Sequence, residues 1–215
     1  MKFYWIKTGW IIKKIFSKYI WEVPDLKGDK TVCLTFDDGP IPEITTWVLS
    51  ELKKHQIKAT FFCIGENITK NPEIFESIIS EGHTIGNHTY NHLNGWKTTT
   101  AKYLANATLC EETIQKNSNY NLKPTLFRPP YGKINYSQSI KLRRLGYKII
   151  MWDVLSGDFD PTISREKCLE NVLSNVKAGS IIVFHDSVKA YEKLQYVLPK
   201  TLAYLSKNNY KCEVL

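Results

Sequence analysis

From residue 31 onward, short apolar runs alternate with stretches in which apolar residues recur every three or four positions. That alternation predicts an α/β fold built on a mainly parallel sheet. The runs at 31–36, 59–64, 84–87, 125–127, 147–152, 180–184 and 211–214 are the expected strands. Between them the helix ends are marked. Pro42 sits in a first turn ahead of Ile44, Trp47, Val48 and Leu52, which share one face. Asn71 is expected to cap a helix that opens at Pro72, carries Ile74, Phe75, Ile78 and Ile79, and stops before Gly82. Ser164 begins another that closes near Gly179, and a last one covers 191–205.

The first 24 residues do not share this pattern. Residues 1–21 are apolar, aromatic and basic at once, and Lys7, Lys13, Lys14 and Lys18 interrupt what would otherwise be a hydrophobic segment. A spanning helix needs roughly 20 mainly apolar residues, so this is a poor transmembrane candidate. No uninterrupted apolar core followed by a small-residue cleavage site is visible, so it is a poor signal peptide too. Wound as a helix, the segment places Lys7, Lys14 and Lys18 on one side, with Trp10, Ile11, Ile15 and Tyr19 around the rest. That permits peripheral membrane contact through residues 1–21; packing against the domain is at least as ordinary an outcome. The expected division is a basic, apolar segment at 1–24 and one domain at 25–215, with cellular location left open.

Length and composition narrow the function classes only a little. A chain of 215 residues with 43% apolar and 23% charged residues is one globular domain, a monomer by default. The net charge of +8 suits an anionic partner, but the lysines are scattered and form no stripe interleaved with stacking aromatics, so nucleic acid is not expected. Cys33, Cys63, Cys110, Cys168 and Cys212 are odd in number, widely spaced and without a CxxC pair, which argues against both a disulfide framework and a thiolate metal site.

The polar residues that matter follow the strands. Asp37 and Asp38 come after the first, His88 and His92 after the third, Arg128 to Gly132 after the fourth, Asp158 after the fifth, and His185 after the sixth. In a parallel barrel those strand ends lie on one face, so residues far apart in sequence converge on one pocket. Two adjacent carboxylates behind a buried strand need a compensating cation, although an Asp-Gly turn alone would be unremarkable. Two histidines at i and i+4 with one carboxylate make a good zinc site with an open position, and the same donors suit cobalt or nickel. An HxxxH pattern alone is weak evidence for it. With Asp38, His88 and His92 as ligands, Asp37 is free to act as a base and Arg128 to hold it ionised. His185, more often structural in such a position, becomes a proton donor if Asp158 contacts it. Together these parts describe metal-assisted hydrolysis of an acyl bond.

Thr35-Phe36-Asp37-Asp38-Gly39-Pro40, His88-Thr89-Tyr90-Asn91-His92 and Arg128-Pro129-Pro130-Tyr131-Gly132, in that order, resemble the motifs of polysaccharide deacetylases with the NodB homology domain, carbohydrate esterase family 4. The resemblance runs from about residue 30 to 215. It implies an irregular (β/α) barrel with about seven parallel strands, and removal of N-acetyl groups from amino sugars of a glycan. It also implies that Asp37 is the base, that Asp38, His88 and His92 bind the metal, that Arg128 orients Asp37, and that His185, tuned by Asp158, is the acid. The Tyr131 amide would then help hold the oxyanion. Two positions depart from the family's usual residues: Phe159 stands where tryptophan is common, and Val183 where leucine often meets the acetyl methyl. Both remain apolar, so substrate fit is affected more than the reaction. O-acetyl ester hydrolysis and glycan binding without turnover are the alternatives.

Overall fold

A computed structural model describes residues 4–24, 28–118 and 125–215. Residues 1–3 of the expected N-terminal segment, and 25–27 where the domain is expected to begin, lie outside these. The strands are β1 (Thr31–Asp37), β2 (Thr60–Cys63), β3 (Thr84–Asn87), β4 (Leu126–Phe127), β5 (Lys148–Ile149), β6 (Val154–Leu155), β7 (Ile181–His185) and β8 (Lys211–Cys212). Seven of them, all parallel, run in the order β5-β4-β3-β2-β1-β7-β6 as a curled half-barrel, and β8 pairs with β1 beside it.

Alternation along β1 explains both faces. Val32, Leu34 and Phe36 pack outward into the main core with Val48, Leu52 and Leu198, whereas Cys33 joins Phe62 and Ile181 in an inner cluster. Asp37 has the parity of Cys33, so its side chain belongs to the inner face at the strand's C-terminal end. The helices wrap the outside: α1 (Trp10–Ile15), α2 (Ile44–Lys54), α3 (Gly65–Lys70), α4 (Pro72–Ser80), α5 (Thr100–Lys116), α6 (Tyr136–Arg144), α7 (Arg165–Leu173) and α8 (Tyr191–Lys207).

Several expectations need correction. The apolar run 147–152 is not one strand: β5 stops at Ile149 on one edge of the sheet, and the chain crosses to the other edge before β6 pairs with β7. The run reads as continuous because both edges are buried. The helix after Ser164 ends at Leu173 and not near Gly179, and the last strand ends at Cys212. Asn71 precedes α4, yet its side-chain amide donates to Pro40 and Asn67 carbonyls and caps nothing. The helices α5 and α6 were not expected, although Tyr103, Ala107, Cys110 and Ile114 carry the helical spacing and Asn135 with Gln138 forms a capping box.

The N-terminal segment is not a continuous helix with a lysine side. Only six residues of it are helical, and Lys7 lies in extended backbone bridged to Val154. Around that helix the chain fills the seam between β5 and β6. Leu155 donates to the Ile6 carbonyl at 2.8 Å and Thr8 to that of Asp153 at 3.0 Å, while Ile20 donates to Ile149 and accepts from Met151. Lys7 and Lys13 each reach the buried Asp153 carboxylate at 2.5 Å, and Trp21 is buried. No helix among the described residues is long and apolar enough to cross a membrane.

Candidate active site

The two carboxylates leave β1 in different directions. Asp37, in register with Phe62 on β2 and His185 on β7, receives Nη1 of Arg128 on Oδ1 at 2.7 Å. Arg128 is fully buried, and its other bonds go to Thr35 Oγ1 at 2.7 Å and the Met151 carbonyl at 3.0 Å, with the guanidinium 4.1 Å from the centre of the Phe62 ring. Burial lowers its pKa and Asp37 works against that; the pair stabilises two charges that neither could sustain alone.

Asp38 has φ +90°, which turns its side chain away from the strand, and its carbonyl accepts from Asn67 Nδ2 at 2.7 Å. Its Oδ1 is buried with no hydrogen-bond partner, 3.3 Å from His92 Nε2 and 3.8 Å from His88 Nε2. The expected histidine loop is a tight turn and not a helix: Thr89 and His92 both have positive φ, costly for a β-branched residue, and the Asn87 side chain accepts from Thr89 N at 2.8 Å to hold the bend. The two imidazole rings stand 5.0 Å apart.

His88 Nδ1 meets the Arg128 carbonyl at 2.7 Å, so this nitrogen carries the proton and Nε2 presents a lone pair toward Asp38. Burial, reinforced by His92, holds His88 well below the usual imidazole range, and burial also lowers His92 against the pull of Asp38. Both are therefore neutral, the form that binds metal. The ligand atoms lie within 4.8 Å of one another. Tetrahedral zinc with bonds of about 2.0–2.1 Å sets ligands roughly 3.4 Å apart, so the donor set and its orphaned carboxylate oxygen fit a divalent ion.

Opposite Asp37, His185 ends β7. Its ring Nδ1 lies 2.8 Å from Asp158 Oδ1, and its backbone N–H donates to Asp158 Oδ2 at 2.8 Å. Burial lowers the His185 pKa, but the charge and hydrogen bond of Asp158, followed by Asp38 and Asp37, outweigh it and push it up to about 9. The Phe159 ring stands edge-on to the imidazole at 4.9 Å. Val183, two residues before His185 and of the same parity, is buried in register with Thr35 and Leu155. Tyr131, at φ +61°, is exposed, with its ring 4.5 Å from that of His92. The expected residues thus form one continuous set at the strand ends.

The polysaccharide deacetylase family model matches residues 25–150. The chain belongs to the polysaccharide deacetylase family. A Bacillus cereus peptidoglycan-N-acetylglucosamine deacetylase is 37% identical over 183 residues, 85% of this chain and 64% of that protein. A second from the same organism is 34% identical over 195 residues, 89% of this chain and 88% of that one. Among solved structures, the Bc1960 peptidoglycan N-acetylglucosamine deacetylase superposes with a TM-score of 0.87 at 33% identity, covering 97% of this chain and 95% of that one. The chain spans less than two thirds of the first relative's length.

The site has members that sequence reading did not assign. Asp186, fully buried, accepts from Gly39 N at 3.0 Å and Thr45 Oγ1 at 2.6 Å. Burial raises its carboxyl to about 8 despite the Thr45 bond. It fixes the turn that carries Asp38, and a Cβ on Gly39 would fall 1.9 Å from its Oδ2. Thr35 relays the Arg128 bond onward, donating to the Ile182 carbonyl at 2.8 Å. The parity of Thr35 with Asp37 was the available signal for its inward aim; Asp186 had only its place behind a buried run.

Proposed function

We propose that the chain is a metal-dependent hydrolase that removes N-acetyl groups from amino sugars of a peptidoglycan- or chitin-like glycan, releasing acetate and a free amine. The observation that carries this reading is the different environment of two adjacent carboxylates: Asp38 faces two neutral imidazoles, and Asp37 faces a buried guanidinium. A structural acidic turn needs neither arrangement. The names of the Bacillus cereus relatives support an N-acetylated glycan as substrate.

In this reading Asp38, His88 and His92 would hold the ion, zinc first and cobalt or nickel next; bound there, it supplies Lewis acidity that polarises the acetyl carbonyl and makes water more acidic. Asp37, held by Arg128, takes the proton from the attacking water. The Tyr131 amide donates to the carbonyl oxygen as negative charge builds on it. His185, kept protonated by Asp158, gives its proton to the departing nitrogen. Phe159 supplies apolar surface for the acetyl methyl and the adjoining sugar, whereas Val183 is buried within β7 and offers no open surface.

Acetate release from N-acetylglucosamine oligomers, peptidoglycan fragments and acetylxylan, before and after chelation, tests this directly. Release from the amides that stops with chelation and returns with zinc is expected. Release from acetylxylan alone would replace the amide reading with O-deacetylation, and glycan binding by metal-loaded protein without any acetate would refute hydrolysis.

A further inference from the structure

We infer that Tyr4, in the N-terminal segment, is a positioning residue for the active site, acting on His185 through Phe159. The segment enters the site along the edge of β6, where Leu155 N donates to the Ile6 carbonyl and Lys7 bridges Val154 in antiparallel fashion. That pairing delivers Tyr4 to the loop 157–160, which carries Asp158. Its hydroxyl donates to Asp160 Oδ2 at 2.7 Å, and its ring lies 5.2 Å from the Phe159 ring, which in turn stands 4.9 Å from the His185 imidazole. Tyr4 therefore touches Phe159 and Asp160, the two residues that follow Asp158, and Asp158 is the carboxylate that orients His185 by two hydrogen bonds.

The rest of the loop leaves this task to Tyr4. Asp160 is also held by Thr162 through its Oδ1 and by Lys193 through its carbonyl, and Asp158 N by Ser156 Oγ at 3.3 Å. Among the described residues, the aromatic contacts of Phe159 are Tyr4 on one side and His185 on the other. Phenylalanine has no polar handle to fix it, so its placement depends on packing. Without the Tyr4 ring, Phe159 has room to swing, and the imidazole that Asp158 orients loses the ring packed edge-on against it. The hydroxyl bond anchors the Tyr4 ring itself. The segment is on this account a working wall of the site and more than a plug for the seam.

The inference rests on the proposed function for its rate readout only. In the metal-loaded full chain, Tyr4→Ala is expected to lower kcat for acetate release about tenfold with KM within twofold, a fraction of what a general acid contributes. Tyr4→Phe, which keeps the ring, should stay within threefold of the parent. Thr8→Ala, which loosens the same segment by removing a 2.8 Å bond to the Trp152 carbonyl, should leave kcat unchanged. The second readout is the imidazole N–H proton resonance that His185→Ala abolishes: it should shift or broaden in Tyr4→Ala and persist in Thr8→Ala. Should Tyr4→Ala not fold, Tyr4→Leu takes its place. An unmoved resonance in Tyr4→Ala, a rate loss shared by Thr8→Ala, or Tyr4→Phe as slow as Tyr4→Ala would each overturn the inference. If the parent releases no acetate, the proposed function fails, and the resonance still decides the role of Tyr4.

Discussion

Asp158→Asn keeps the shape of the residue and removes the charge behind His185. The imidazole is pushed up from the ordinary 6.5 to about 9, against a burial that by itself lowers it, so the carboxylates around it more than offset the cost of a buried cation. That difference is worth roughly 3 kcal/mol between the two protonation states. Asp158 makes both the charge contact and the hydrogen bond, while Asp38 and Asp37 contribute less. Without Asp158, burial persists and the value falls back toward the ordinary 6.5. At pH 8 the protonated fraction then falls from about nine-tenths to about 3%, roughly a 30-fold loss of the general acid, whereas at pH 6 the loss is under about twofold. Misorientation of the ring adds a further loss, but one that is constant with pH. The assay is kcat for acetate release from pH 6 to 8 with parent and variant in the same metal-loaded state, so that any effect of the ion on His185 enters both. Folded fraction is followed by circular dichroism at each pH, because breaking a buried pair costs about 3–5 kcal/mol. A parent-to-variant ratio that stays flat across this range would refute the assignment of His185 as the acid.

Arg128→Met leaves the Asp37 side chain buried without its partner, and should cost about 3–5 kcal/mol in urea unfolding; a cost below 1 kcal/mol, roughly that of a surface pair, would show that the pair is not what holds Asp37. Gly39→Ala drives a Cβ into Asp186 at 1.9 Å and should destabilise by about 1–3 kcal/mol, seen as a lowered melting temperature, with an unchanged temperature counting against the clamp. Burial raises the Asp153 pKa, but hydrogen bonds from Lys13, Lys7 and Ser180 hold it below the ordinary 3.8, so its stabilisation is present above that pH and lost as the pH falls through the lowered value. Lys13→Met should therefore be less stable than the parent at pH 7, with a gap that closes below pH 3.8; a gap independent of pH would be a packing effect. Trp10, Ile11, Ile15 and Phe16 are exposed beside Lys14 and Lys18, which predicts salt-sensitive co-sedimentation with anionic vesicles, and none at low salt would remove the membrane-surface role for residues 1–21.

The parts of the site that were legible in the sequence are those that local geometry controls. Strand alternation aims Asp37 inward, and strand ends gather on one face of a parallel sheet, so spacing alone brought His88, His92, Arg128 and His185 to the same place. What was not legible depends on pairing across the chain. Lys7 read as one of the lysines on one side of a helix and Lys13 as an interruption of an apolar segment, because nothing near them in sequence reveals Asp153, which lies 146 and 140 positions away. The seam between β5 and β6 was invisible for a related reason: strands of two residues carry almost no periodic signal, and a run of buried residues does not record where the chain changes edge. The adjacency of Asp37 and Asp38 sits between these cases. Alternation accounts for Asp37, but an extended Asp38 would point outward, into the core packed beneath the helices. Only its positive φ brings the carboxylate toward the histidines, and aspartate tolerates that region better than most residues do. The division of work between the two carboxylates is thus a property of the backbone at one residue, and Gly39, held by Asp186 across 147 positions, is where that backbone is fixed.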